Sequence, residues 1–203
     1  MSKIKENSGV LVQGHIKIHD PESGAVFVNK RNAIHYENMS IALAESVANQ
    51  GQGFINSMAF GNGGTSVDPT GIITYLTPNS TGTNASLYNQ TFTKIVDDRS
   101  VSNLDPQRNK IETRHVNGTN YTDVVVTCLL DYGEPNGQDA TDTASASDSL
   151  YVFDELGLVS YASSGTGKLL THVVFHPVQK SLNRLIQIDY TVRVQSLTGF
   201  NEG

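Results

Sequence analysis

Apolar and polar residues alternate along most of the chain with the period of two that marks half-buried strands. "VLVQGHIKIHD" and "AVFVNKRNAIHY" both alternate and are separated by the turn grouping "DPESG", so they predict an antiparallel hairpin. The cleanest run is "RLIQIDYTVRVQSL", with Ile186, Ile188, Tyr190, Val192 and Val194 on one face and Gln187, Asp189, Thr191, Arg193 and Gln195 on the other. Further strands are predicted in "FINSMAF", "GIITYLTP", "SLYNQTFTKIVDD", "NKIETRHV", "YTDVVVTCLLDYG", "LYVFDELGLVSY" and "KLLTHVVFHPV".

One segment, "NMSIALAESVANQG", has helical spacing instead, with Met39, Leu43, Ala44, Val47 and Ala48 on one stripe. Asn38 or Ser40 is available as its N-cap, and Gly51 as a left-handed residue past its end. Many short strands and one helix predict a mainly β chain: an antiparallel β-sandwich with one short helix at about residues 38–50. Residues 1–9 read as a polar N-terminal arm and 10–203 as a single domain, interrupted by long polar loops at 77–86 and 133–149.

Composition narrows the function classes. Charged residues make up 17% of the 203, below the usual quarter, and the net charge is −6 with no basic stripe, so no nucleic-acid partner is expected. "MSKIKENSG" has no apolar core and no run of about 18 apolar residues occurs, so neither a secretory signal nor a membrane partner is expected, and synthesis in a cytoplasm is. The six Asn-x-Ser/Thr sequons then reflect composition, and the one cysteine, Cys128 in "VVVTCLL", reads as a small buried hydrophobe.

Candidate chemistry thins out when tested against spacing. "FGNGGTSVDPTG" suggests a phosphate loop, but Gly61 and Gly63 are followed by Ser66 and then by a strand pattern, not by a helix. The stretch reads better as a structural turn in which Gly61, Gly63 and Gly64 take positive φ. "SSGTGKLLTH" fails as a nucleotide loop because Ala162 and Leu169 stand where Gly and Ser or Thr are needed.

His15/His19 and His172/His176 are each four apart on predicted strands, which would place each pair on one face; they are the nearest approach to a metal constellation, and no carboxylate spacing supports it. The acid pairs Asp97/Asp98 and Asp154/Glu155 read as solvated turn acids, since neighbours on a strand point to opposite faces. There is no nucleophile elbow and no Trp. No catalytic residue, cofactor or metal is therefore expected.

Two stretches resemble structural proteins of tailed bacteriophages. Residues 32–71 are similar to a phage pattern of an Asn-initiated short helix, then a strand ending in Gly-x-Gly-x-Thr, carried by Phe60, Gly61, Gly63 and Thr65. Residues 151–194 are similar to an "F-x-E-x-G-L" and "G-x-L-x-x-x-x-x-F-x-P-x-x-K" run of tail, collar and fibre-attachment modules, carried by Phe153, Glu155, Gly157, Leu158, Gly167, Leu169, Phe175, Pro177 and Lys180. A fibre would continue into a repetitive shaft, and with none read up to "TGFNEG" a fibre is not expected.

The resemblance implies a non-enzymatic virion component, a symmetric homo-oligomer in the neck, collar or tail-attachment region whose partners are itself and other virion proteins. Arm 1–9 or loop 133–149 would be exchanged between neighbours. A capsid decoration protein on the head is the alternative. A carbohydrate- or receptor-binding sandwich, with Tyr75 and Tyr88 as stacking surfaces beside the loop at 77–91, is the second.

Overall fold

The computed structural model describes residues 8–135 and 150–198. Eleven strands and one helix follow in chain order: β1 (Ser8–His19), β2 (Val26–Ile34), α1 (Tyr36–Val47), β3 (Ile55–Gly61), β4 (Thr65–Val67), β5 (Ile73–Tyr75), β6 (Gln90–Ile95), β7 (Lys110–His115), β8 (Tyr121–Leu130), β9 (Leu150–Ser160), β10 (Thr171–Ser181) and β11 (Ile186–Thr198). Nine of them form one curled antiparallel sheet in the order β6-β3-β9-β10-β2-β1-β11-β8-β7, while β4 and β5 make a separate hairpin. The described residues are mainly β, with the single helix that the periodicity predicts.

The sheet is pinched in the middle. β10 and β2 share two residue pairs, Thr171 with Ile34 and His172 with Ala33, whereas β1 and β11 pair along twelve. A junction that narrow lets the two halves fold over one another, and the apolar face of each is buried against the other. Ile16, Ile18, Cys128, Ile188 and Tyr190 from β1, β8 and β11 share one core with Met58, Phe60, Phe153, Leu156 and Leu158 from β3 and β9. The alternation read in "RLIQIDYTVRVQSL" explains this: Ile186, Ile188, Tyr190 and Val192 are all buried.

The hairpin expected from the first two strands is present, β1 pairing β2 with its only irregularity at Ile18/His19. α1 starts two residues earlier and ends three earlier than expected. Its N-cap is neither Asn38 nor Ser40 but His35, whose Nδ1 accepts the Asn38 N–H at 3.2 Å. Asn38 instead turns inward and donates from Nδ2 to the Leu169 carbonyl, which anchors the helix to the sheet. At the other end the first left-handed residue is Asn49, ahead of Gly51.

Ser8 and Gly9, expected within the arm, already pair with Thr198 and Leu197 as the start of β1. Residues 1–7 and 136–149 lie outside the described residues, and with them the two segments expected to exchange between neighbours.

Candidate functional site

A dense cluster of buried ionisable side chains grows from "FDELG" on β9. Phe153, Leu156 and Leu158 all face the core, although 153 and 156 have opposite parity. The alternation therefore slips once between them, matching the register irregularity opposite Val174 and Val178 of β10. Asp154 and Glu155 occupy the slip, and both carboxylates turn toward the same segment, Gly63–Thr65.

Glu155 is fully buried, and its two oxygens take four donors. Oε1 accepts the N–H groups of Gly63 (3.1 Å) and Asn89 (2.8 Å); Oε2 accepts the Tyr88 N–H (3.0 Å) and His172 Nε2 (2.9 Å). A carboxylate has about four lone-pair sites, so none is left over. Burial alone would raise its pKa, but the His172 ring and the three backbone donors prevail and hold it below the ordinary glutamate value.

His172, also fully buried, has both nitrogens engaged. Its Nδ1 takes the Asn79 N–H at 2.8 Å, a group that can only donate, so the ring proton sits on Nε2 and points at Glu155. Asp154 accepts the Gly64 and Thr65 N–H groups, each at 2.9 Å, and the Thr65 hydroxyl. Burial raises its pKa in spite of these donors, and the neighbouring Glu155 charge adds to the rise.

Three side chains on two strands thus fasten the chain between Asn62 and Gln90, which carries the hairpin β4–β5, to the sheet. The glycines at its root serve this fastening. Gly61, Gly63 and Gly64 do not have positive φ, contrary to expectation. They are glycines because of close approach: a Cβ on Gly61 would lie 2.4 Å from the Asn89 carbonyl and 2.5 Å from Glu155 Oε1, and one on Gly63 would lie 2.8 Å from the Asn89 amide.

Most of the motif residues singled out in residues 32–71 and 151–194 lie around this cluster. Phe60 packs edge-on to Phe153 at 5.4 Å, and Phe153 edge-on to Phe175 at 5.8 Å. Thr65 binds Asp154, Gly61 pairs with Glu155, Gly157 with Ala59, and Leu158 with Met58. Pro177, which has no N–H to offer a ladder, sits in the irregular stretch of β10. Lys180 lies apart: its buried ammonium donates to the Asp131 and Ser181 carbonyls, both at 2.9 Å, and burial lowers its pKa.

The histidines expected as pairs do not gather. His172 is buried while His176 is exposed and touches the Tyr75 hydroxyl at 3.3 Å, because the slip in β10 separates their faces. His19 binds Asp189 at 3.0 Å, and His15 is exposed on the outer sheet. Among the described residues no three metal-binding side chains come together, and no helix is long and apolar enough to cross a membrane.

The reading of the acids as solvated holds for Asp98 and fails for Asp97, Asp154 and Glu155, all buried. Two adjacent acids inside the apolar run "LYVFDELGLVSY" were the available signal, since buried charges persist only where donors are waiting. The donors come from backbone at 63–65, 79 and 88–89, which no side-chain pattern announces. No family model, no curated protein and no solved structure matches the chain.

Proposed function

We propose that the chain is a non-enzymatic structural component of a tailed-phage virion, a homo-oligomer of the neck, collar or tail-attachment region. The observation that carries the assembly reading is apolar surface held out to water on ordered elements. Val67 and Ile72 of the β4–β5 hairpin are each 63% exposed, and Val101 and Leu104, in the turn-rich connection before β7, are 100% and 97% exposed. Large apolar side chains left open to water on a fixed hairpin are available to a partner surface.

The buried cluster supports the non-enzymatic part. A general acid or base must offer a lone pair or a proton to a reacting group, and Glu155 and His172 spend all of theirs on the protein's own backbone and on each other. Their product is a rigid mount for the hairpin. The placement in a phage particle draws on the two resembling stretches, whose residues interlock through Phe60, Gly61, Thr65, Phe153 and Glu155.

Fractionating purified particles into heads and tails, followed by detection of this chain, tests the proposal. Recovery with the tail or neck fraction supports it; recovery with heads alone would assign the chain to the capsid surface, and absence from particles would refute it.

A further inference from the structure

Two features of the surface match one another. The first is the tip of the β4–β5 hairpin. Asp68 Oδ1 accepts the Thr70 N–H at 2.8 Å, the Thr70 hydroxyl at 2.7 Å and the Ile72 N–H at 2.9 Å, while Gly71 closes the turn with φ +87°. The hairpin root is equally fixed, by Thr65 on Asp154 and by the Leu76 N–H on the Gly64 carbonyl. Val67 and Ile72 flank this locked turn, so the apolar tip is ordered before any partner arrives and little conformational entropy remains to be lost on contact.

The second is an apolar groove of about 190 Å³ between α1 and the sheet, lined chiefly by Met39, Leu43, Ile55, Ile111, Val124 and Val194. Its rim carries Arg99, whose side chain is 73% exposed even though it reaches Asp97. The hairpin tip carries the opposite charge: hydrogen bonds from Thr70 and Ile72 hold the Asp68 carboxyl below its ordinary range, so it is anionic. Between Thr65 and Tyr75 it is the only charged residue.

Hairpin and groove lie at opposite ends of β3. Ile55, the first residue of the strand, lines the groove, and the hairpin begins four residues beyond Gly61, the last. Six residue steps at about 3.3 Å put roughly 20 Å between them, and the fixed root prevents the hairpin from reaching back into its own groove. We propose that the hairpin tip of one copy seats in the α1–sheet groove of the next, with Ile72 and Val67 against the apolar lining and Asp68 facing Arg99. Two different surfaces at opposite ends make a heterologous, head-to-tail contact, the type that closes into a ring where the rotation between copies allows and otherwise runs on as a filament. This rests on the homo-oligomer reading above and names the surfaces that build it.

The test uses the full chain, with mass measured by light scattering across a concentration series. Ile72→Asp on the exposed hairpin and Ser46→Glu on the exposed groove rim, which sets a like charge against Asp68, should each weaken self-association roughly tenfold or more, since each loses at least the burial of one aliphatic side chain, with melting unchanged. Mixed together, the two variants should pair once and stop, because one keeps an intact groove and the other an intact hairpin. Under an added thiol oxidant, a variant carrying Ile72→Cys and Ser46→Cys should give a covalent ladder that neither single substitution gives. An oligomer whose mass ignores both substitutions, or a double-cysteine protein without a ladder, overturns these surfaces and leaves the homo-oligomer standing. A wild-type chain that stays monomeric throughout the series overturns both.

Discussion

Replacing Glu155 by Gln preserves size and shape and removes only the charge, so it isolates what the buried carboxylate does. Glu155 Oε1 serves Gly63 and Asn89, and Oε2 serves Tyr88 and His172. A Gln offers one oxygen and one NH₂, so whichever way its amide is turned, two donors lose their acceptor and face a third. His172 cannot help by moving its proton, because Nδ1 already accepts from Asn79. Each buried donor left unpaired costs about 1–3 kcal/mol, so the substitution should cost about 4 kcal/mol in all. At about 2–4 °C per kcal/mol for a chain of this size, Tm should fall by roughly 8–16 °C.

Urea and thermal unfolding would read the loss, with Asp98→Asn, at an exposed acid, as the control expected to change little. Hydrogen exchange would locate it: the amides of Gly63, Asn79, Tyr88 and Asn89 should lose protection before the core of β1, β8 and β11 does. The acid side has a definite sign. Because the folded-state pKa of Glu155 is held below its ordinary value of 4.5, its contribution is present above that value and is lost as pH falls through the lower folded one. The gap between wild type and Glu155→Gln should therefore be widest near neutrality and narrow in acid. A variant within about 1 kcal/mol of wild type, with unchanged loop protection, would refute the claim that this carboxylate mounts the hairpin.

Gly61→Ala should cost about 1–3 kcal/mol by overpacking against the Asn89 carbonyl, whereas Gly9→Ala, with nothing within 4 Å of the new Cβ, should change stability little; denaturant melts compare the two. Burial pushes the Cys128 thiol up to about 12, so it should react with a thiol reagent only as fast as the protein opens, and labelling that is rapid under native conditions would contradict its burial. Asp68→Ala removes the acceptor that locks the hairpin tip and should speed exchange of the Thr70 and Ile72 amides while leaving the main melting transition in place.

The strands and the helix were legible because each buries one face, and one buried face writes its period into the sequence. The helix boundary was misread because His35, an uncommon cap, supplies the acceptor from Nδ1, while Asn38, the expected cap, is spent on Leu169. The cluster on β9 was misread for a different reason. A period-two argument assumes unbroken pleating, and a single slip between Phe153 and Leu156 is enough to bring two neighbouring acids to one segment.

The same limit applies to Gly61, Gly63 and Gly64. Sequence marks a glycine without saying whether it is needed for φ or for room, and here Asn89, Glu155 and Val174 crowd the missing side chains. The exposure of Val67 and Ile72 was equally hidden, because an apolar residue in a short strand looks the same whether it faces a core or a partner.

The central claim is that this chain builds a phage particle by assembling with itself. Electron microscopy of purified particles, with this chain labelled by antibody, tests it most directly. The account predicts label in a ring where tail meets head; particles that carry no label, with the protein left in the soluble fraction, would contradict it.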